Sequence, residues 1–171
     1  MEARPDLTWR DIQYLCVETA QLIEDENYWD TLASGRKYST YLGFGVLDAY
    51  KFVKAAETWP LVAPQVWIAL PYVQFEDGTL DVDRNFSGGK PLSRTGVTHS
   101  IEITAEMARK HNFDKIEHIQ VRVWIQHERR GVVQVTLHSP NKVVSDLGMS
   151  RMRDKSRSGL QGWAFSSLKH W

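Results

Sequence analysis

The side chains best suited to acid–base or metal chemistry in this sequence are its six histidines. Imidazole titrates near neutral pH and is a common metal ligand, so each histidine is a candidate. His99 lies on the apolar face of a predicted strand, which favours a core histidine bonded to the backbone over a ligand. His118 and His138 fall on polar strand faces, where solvent exposure is favoured, and His127 lies beside a predicted turn. No two histidines have metal-ligand spacing on one element, so we predict no metal site.

Nucleophilic catalysis has no complete motif in this chain. Cys16 is the single cysteine and lies on the apolar stripe of a predicted helix, which favours a small buried side chain over a nucleophile. One cysteine also excludes an internal disulfide and a cysteine-based zinc site. The sequence has no Gly-x-Ser-x-Gly nucleophile elbow and no Gly-x-x-x-x-Gly-Lys-Ser/Thr phosphate loop.

A local basic run surrounds Asp154 and consists of Arg151, Arg153, Lys155 and Arg157. Such a run could contact nucleic-acid phosphates. However, the chain carries 21 Lys+Arg and 21 Asp+Glu, and no aromatic stacking motif accompanies the run. We therefore favour a solvated loop in which Asp154 pairs with an arginine, and we expect no nucleic acid as a partner.

The remaining candidate is a modification site. Asn85-Phe86-Ser87 is an N-glycosylation acceptor triplet, and it falls in a predicted surface loop over residues 76–96. The triplet matters only if the chain enters the secretory pathway, so Asn85 is a conditional prediction.

Two helices are predicted in the first 58 residues. Thr8 is the expected N-cap of the first, Asp11 completes a capping box, and Leu7 can pack on Ile12 as a hydrophobic staple. Helical spacing then gives an apolar stripe that ends before residue 24. Its members are Ile12, Leu15, Cys16, Thr19 and Ile23.

The second helix is predicted to begin after Gly43-Phe44-Gly45 and to end at Pro60. One side of it carries the apolar residues Val46, Ala49, Tyr50, Val53 and Ala56. Two helices and a loop make a marginal domain, so this half of the chain is expected to be a piece of something larger.

Residues 60–171 show the alternation of strands. Residues 119–125 form a clear period-2 strand, and a turn at 128–131 is predicted to fold the chain back into a strand through Val133, Val135 and Leu137. Further strands are predicted at 66–70 and 97–103, with a short helix from Ala105 to Lys110. Many short strands with turns indicate a β-sandwich or jelly roll.

Composition bounds these readings. The chain has 171 residues, 42% hydrophobic and 25% charged, which is ordinary globular composition. A net charge of +0 argues against general binding to nucleic acid or anionic membranes. No apolar run reaches the roughly 18 residues of a membrane span, and the polar N-terminus has no signal-peptide pattern.

Several segments, in order, resemble kexin-like proprotein convertases, which are subtilisin-type serine endopeptidases. Three resemble the end of their catalytic domain: residues 7–23, 29–39 and 41–53. Four resemble the P domain, also called P/homo B, that follows: residues 130–140, 145–148, 151–156 and 163–171. The resemblance implies a mixed fold with two helices from a subtilisin-like α/β domain over 1–58. A truncated, jelly-roll-like β-sandwich P domain would occupy 59–171.

The resemblance also implies an activity for the full-length protein. Kexin-like enzymes use an Asp-His-Ser triad to cleave proproteins after paired basic residues, with structural Ca²⁺. The triad is expected upstream of Met1, so we map no catalytic, substrate-binding or metal residue and predict that this chain alone is inactive. The expected partners are the remainder of the catalytic domain and proprotein substrates, and the expected location is the secretory pathway, at the Golgi membrane.

Individual residues fit or depart from the family. Five glycines are expected to mark turns: Gly43, Gly45, Gly131, Gly148 and Gly159. Thr40 and Lys142 stand where the family often has His and Gly, and Lys142 would alter a turn that Gly makes easily. The tryptophans suit either core packing or an interface with the catalytic domain: Trp59, Trp67, Trp163 and Trp171.

Two other functions stay open from the sequence alone. A β-sandwich can serve as a non-catalytic binding module, because fold alone does not settle function. Binding of nucleic acid through the basic loop is the weaker possibility, and it would require salt-dependent retention on DNA. The helical residues 1–58 favour the protease fragment, since a free binding module has no need of them.

Overall fold

The computed structural model describes residues 2, 4–23, 25–32, 34–113 and 115–169. It divides into two compact units, Met1–Gln65 and Val66–Trp171. We call them unit 1 and unit 2 and describe each by itself.

Helix α1 of unit 1 spans Trp9–Thr19 and begins with the predicted capping box. Thr8 Oγ1 accepts a hydrogen bond from the Asp11 amide at 3.3 Å, and Asp11 Oδ2 accepts one from the Thr8 amide at 2.8 Å. The predicted end of the helix is wrong, because Ile23 lies outside it and is exposed. The physical reason is a backbone bridge, in which the amides of Gln21 and Val46 each donate to the other's carbonyl at 2.8 Å.

Helix α2 spans Ala49–Glu57, and Asp48 caps it by accepting from the Lys51 amide at 2.9 Å. On the apolar side identified from the sequence, Tyr50 is 73% exposed and Val53 is 44% exposed. The helix buries Ala56 from that side, together with Phe52. Apolar residues lie on both sides of α2, so its sequence period alone could not select the face that packs on α1.

The core of unit 1 lies between these helices. Leu15, Phe52 and Ala56 are its buried members. Other side chains pack around them, half-buried: Leu7, Ile12, Cys16, Ala55 and Trp59. Cys16 packs against the core, as its predicted role requires, but it is half-buried rather than buried, and the proposed contact between Leu7 and Ile12 stays a prediction.

A glycine turn precedes α2. Gly43 and Gly45 adopt positive φ values of +61° and +133°, as a turn requires, which confirms the prediction for both. A Cβ on Gly45 would lie 2.6 Å from the Gln21 carbonyl oxygen, so the bridge that ends α1 requires glycine here. Unit 1 also contains a short antiparallel pair, β1 (Asp30–Thr31) and β2 (Lys37–Tyr38).

Unit 2 begins with a long segment of few regular elements. Residues 66–70 and 97–103 form no strand, so both predicted strands are wrong. The predicted loop 76–96 contains an antiparallel pair, β3 (Thr79–Leu80) and β4 (Phe86–Ser87). Helix α3 spans Ala105–Lys110, as predicted, and Thr104 caps it.

The longest strands of unit 2 pair across the chain. Strand β5 (Ile119–Ile125) forms where predicted, but it pairs antiparallel with β8 (Leu160–Ser167). Strand β6 (Val135–His138) pairs instead with β7 (Val144–Gly148). The predicted hairpin through 128–131 is therefore wrong. Arg130–Val132 form a short 3-10 turn whose amides bond to residues 154 and 156, which directs the chain away from β5.

Contacts join β7 to β8. Ser145 Oγ and Ser167 Oγ, both on buried residues, lie 2.8 Å apart. A Cβ on Gly148 would meet the Phe165 ring at 3.2 Å. The turn predicted at Gly148 is wrong, because this glycine lies in β7 and serves close packing. The turn predicted at Gly159 is confirmed by its φ of +60°.

Candidate interaction site: the arginine–tryptophan cluster

Four side chains of unit 2 form what we call the arginine–tryptophan cluster: Arg130, Arg151, Asp154 and Trp163. Arg130 holds the Asp154 carboxylate with two parallel hydrogen bonds, from Nε at 2.8 Å and Nη2 at 3.1 Å. Arg151 Nη2 lies 3.4 Å from the same carboxylate. The predicted pairing of Asp154 with an arginine is confirmed, and the bidentate partner lies outside the basic run.

Trp163 of β8 completes the cluster. The guanidinium carbons of Arg130 and Arg151 lie 4.9 Å and 5.1 Å from the centre of its ring. Cations at this distance are attracted to an indole face by about 0.5–2 kcal/mol. Trp163 is half-buried and also packs on Phe165, with ring centres 6.2 Å apart. The cluster thereby connects the 3-10 turn and the basic loop to β8.

The Asp154 carboxylate of the cluster is ionised at neutral pH. Hydrogen bonds from Arg130 lower the pKa of Asp154, burial opposes this shift, and the Ser156 amide and the charges of Arg130 and Arg151 reinforce it. The carboxylate therefore stays ionised well below neutral pH. A permanently ionised aspartate bonded to arginine is suited to structural pairing rather than proton transfer.

Gly131 allows the backbone beneath the cluster to close. Its amide donates to the Asp154 carbonyl at 3.2 Å, and its carbonyl accepts from the Arg151 amide at 2.7 Å. A Cβ at this position would lie 2.2 Å from the Arg151 oxygen and 2.4 Å from the Asp154 oxygen. The prediction of a turn glycine missed this reason. Glycine is needed at position 131 because the backbone of Arg151 and Asp154 approaches closely, and not because φ is positive.

Unit 1 has a second polar site, formed by Asp11 of α1 with Trp59 and Val62. The latter two lie in the segment that follows α2 within unit 1, residues 58–65, which we call the linker. We call the site the helix–linker clamp. The fully buried Asp11 carboxylate accepts from the Trp59 indole at 3.2 Å and from the Val62 amide at 2.8 Å. The same carboxylate caps α1 through Thr8. Burial acts to raise the pKa of Asp11, but hydrogen bonds from Thr8, Val62 and Trp59 outweigh it, and the pKa is lowered.

An apolar face remains exposed on unit 1, comprising Val46, Leu47, Tyr50 and Val53. Tyr50 and Val53 are one helical turn apart on α2, and Val46 and Leu47 directly precede its cap. We call this group the apolar face. Large contiguous apolar patches on a protein surface mark interaction sites.

The histidine candidates differ in their surroundings. His99 is exposed and contacts Phe75 edge-on at 5.9 Å, so its predicted core position is wrong. His138 is exposed as predicted, whereas His118 is half-buried. His127 Nδ1 accepts from the Arg129 amide at 3.0 Å. Among the described residues, no three histidine, cysteine, aspartate or glutamate side chains are grouped to hold a metal ion.

The predicted interface tryptophans differ in exposure. Trp67 is exposed, Trp59 and Trp163 are half-buried, and Trp171 lies outside the described residues. Asn85 is exposed in unit 2 beside β4. No helix within the described residues is both long and apolar enough for a bilayer crossing.

Comparison with known proteins identifies relatives of this chain. The family model described as the proprotein convertase P-domain matches residues 116–171. Over the full chain, a dibasic-processing endoprotease of Schizosaccharomyces pombe is 34% identical and kexin of Saccharomyces cerevisiae is 38% identical. Mouse proprotein convertase subtilisin/kexin type 7 is 31% identical, also over the full chain. The chain spans 24%, 20% and 21% of these relatives, respectively.

Solved structures show the same fold. The crystal structure of a serine protease of Aeromonas sobria matches with a TM-score of 0.65 and 21% identity. It covers the whole chain, which in turn covers 32% of that structure. Residues 116–171 match the proprotein convertase P-domain, and along its full length the chain is similar to a portion of kexin-like proprotein convertases.

Proposed function

We propose that this chain is the junction portion of a kexin-like endoprotease that processes proproteins at paired basic residues, and that it stabilises the catalytic domain. The observation that carries the proposal is sequence identity with dibasic-processing proteases across both units of the chain. Unit 1 supplies the last helices of the peptidase domain. Residues 59–171, which include all of unit 2, supply the P domain, and the triad lies elsewhere in the protease.

The apolar face of unit 1 fits the remainder of the peptidase domain as its partner. Tyr50 and Val53 are exposed although α2 carries a separate buried face against α1. A helix with apolar residues on both sides is typical of the interior of a larger domain. The relatives are four to six times longer than this portion, since it spans 24% to 16% of the first five of them.

For unit 2 we propose the jelly-roll-like β-sandwich of the P domain. The β5–β8 and β6–β7 ladders contact each other through Ser145 and Ser167, which supports two packed layers. The domain boundary at residues 58 and 59 belongs to the same proposal.

Two further properties are proposed for the full-length protease alone. The first is structural Ca²⁺. Among the described residues, no three histidine, cysteine, aspartate or glutamate side chains are grouped to hold a metal ion, and we propose that the Ca²⁺ ligands lie elsewhere in the protease. The second is residence in the secretory pathway, at the Golgi membrane, where proproteins would be its substrates.

A full-length protease carrying Tyr50→Asp and Val53→Asp tests the stabilising role. Because two carboxylates would be buried without partners, we expect loss of most secreted activity on a Lys-Arg fluorogenic peptide. Val82→Asp is the control, since Val82 is 98% exposed in unit 2 and a charge there costs little. Undiminished activity in the double variant would overturn the stabilising role. Turnover of the peptide by purified chain 1–171 would contradict its predicted inactivity.

A further inference from the structure

The hairpin formed by β3 and β4 presents the Asn85-Phe86-Ser87 triplet in a defined conformation. Thr79 pairs with Ser87, and Leu80 pairs with Phe86. The loop between the strands is closed by the Asp81 amide, which donates to the Asn85 carbonyl at 3.1 Å. The acceptor triplet is therefore the outgoing arm of an ordered hairpin.

Alternation along β4 separates the triplet into two sides. Asn85 and Ser87 are exposed, while Phe86 is half-buried. Phe86 lies against the two glycines Gly78 and Gly89, whose Cβ atoms would fall 3.0 Å and 2.6 Å from its ring. Because successive side chains of a strand point to opposite faces, anchoring Phe86 turns Asn85 and Ser87 toward solvent together.

The Asn85 carboxamide is held by one hydrogen bond from its nitrogen, which has a second hydrogen. Its Nδ2 donates one hydrogen bond to Asp81 Oδ2 at 3.0 Å, and the Asn85 amide donates to Asp81 Oδ1 at 2.7 Å. A carboxamide nitrogen carries two hydrogens, so the second can be replaced while the bond to Asp81 remains.

We propose that Asn85 carries an N-linked oligosaccharide in the mature protease. This inference rests on the proposed function, because the modification requires entry into the secretory pathway. The donor is a lipid-linked oligosaccharide diphosphate. A bond forms between Asn85 Nδ2 and the anomeric carbon of the first sugar, and the bond from that carbon to the diphosphate oxygen breaks. The lipid diphosphate leaves with the electron pair, and Nδ2 loses one proton.

The surroundings of Asn85 suit a bulky hydrophilic group. Val82 is 98% exposed and Leu80 is 41% exposed, and both lie in the same hairpin. A glycan is a solubilising surface group, so one attached here reduces the contact of these apolar side chains with other proteins.

The test is mass spectrometry of the peptide containing Asn85, taken from full-length protease secreted by a eukaryotic host. We expect a glycan on the wild type, which an amidase removes while converting Asn85 to aspartate. Asn85→Gln and Ser87→Ala should abolish the modification, whereas Ser87→Thr keeps the acceptor hydroxyl and should retain it.

Thr79→Ala is the matched control for folding. Ser87 Oγ and Thr79 Oγ1 lie 3.1 Å apart, so Thr79→Ala and Ser87→Ala break the same hydrogen bond. Only Ser87→Ala destroys the triplet, and we expect Thr79→Ala to remain glycosylated. Loss of the glycan in both variants would overturn the role of the triplet.

Two failures are distinguishable. An unmodified Asn85 on secreted, active wild-type protease would overturn the glycosylation and leave the proposed function intact. A full-length protein that never enters the secretory pathway would overturn the proposed location, and the glycosylation with it.

Discussion

At the scale of single residues, the arginine–tryptophan cluster depends on the lack of a side chain at Gly131. The hydrogen bonds of Gly131 with the backbone of Arg151 and Asp154 bring their carbonyl oxygens to where a Cβ would stand. Arg130, the residue that directly precedes Gly131, thereby meets the carboxylate of Asp154. The sequence shows a glycine after two arginines, but nothing in it reveals which distant backbone approaches.

Gly131→Ala is expected to destabilise unit 2 by about 1–3 kcal/mol, because two backbone oxygens would have to move away from the new methyl group. Urea unfolding followed by tryptophan fluorescence measures the change. Gly96→Ala is the matched control, since an added Cβ there meets nothing within 4 Å and adds only the cost of a φ of +76°. An equal effect of the two substitutions would contradict the crowding argument.

Lys142 is a second residue at which the backbone conformation affects the stability of the protein. It has a φ of +63° in the loop between β6 and β7, where its amide donates to the Ser139 carbonyl at 3.0 Å. We expect Lys142→Gly to stabilise the protein by about 0.5–1 kcal/mol, since glycine adopts this conformation without strain. Lys155→Gly, at a position without positive φ, should instead be neutral or destabilising. Thermal unfolding of both variants decides the matter.

The lowered pKa of Asp154 predicts a dependence of stability on pH. A carboxyl group whose pKa falls on folding contributes stability that is fully present above its unfolded pKa of about 4. That contribution is lost as the pH falls through the lower folded value, when the bonds to Arg130 and the attraction of Arg151 weaken. We expect the wild type to exceed Asp154→Asn in urea midpoint at neutral pH and this advantage to shrink in acid. A difference that is independent of pH would contradict the assignment.

At the scale of elements, α1 and the linker after α2 share a single carboxylate. Asp11 caps the first turn of α1 and also holds Trp59 and Val62. The capping box could be read from the sequence, because its two residues are three apart. The linker contacts could not, because they involve an indole and a backbone amide with no sequence signature.

Asp11→Ala is expected to destabilise unit 1 by about 1–3 kcal/mol, because it leaves the part-buried donors of Thr8, Trp59 and Val62 without this acceptor. The clamp makes a local prediction as well: the Val62 amide should exchange its hydrogen faster, and the Trp59 indole resonance should shift. Thr8→Ala is the control, since it weakens the cap and leaves the Asp11 contacts with the linker in place. Faster exchange at Val62 in Thr8→Ala to the same extent would argue against the clamp.

Much of the local structure could be predicted from sequence. Which strands pair, and which side of a helix is buried, could not be predicted. Strand β5, helix α3 and the start of α1 follow from strong local periodicity and caps. The partner of β5 is β8, more than thirty residues away, because the 3-10 turn at Gly131 diverts the chain. Likewise, the buried side of α2 depends on which neighbour is present, and both of its sides are apolar.

At the scale of the whole molecule, unpaired apolar surface is the main feature of this portion. The apolar face of unit 1 stays exposed to solvent, as does Trp67 in unit 2. Such surfaces bind other proteins or cause self-association when their partner is absent. A portion that spans about a quarter or less of each relative is expected to behave in this way.

The isolated chain is therefore expected to bind a hydrophobic fluorescent dye and to self-associate at high concentration. Tyr50→Ser with Val53→Ser should reduce both dye binding and self-association. Val82→Ser, which leaves the apolar face unchanged, should reduce neither. Dye titration and sedimentation velocity measure the two properties. A strictly monomeric wild-type chain without dye binding would contradict this account of unit 1.

The helix–linker clamp has a consequence for synthesis on the ribosome. Asp11 and the Val62 amide that it binds are 51 positions apart. At a translation rate of about 5–20 residues per second, Asp11 is made roughly 3–10 s before its partner. During that interval α1 has its cap but neither Trp59 nor the linker against it. Unit 1 therefore completes its fold only after synthesis of unit 2 has begun.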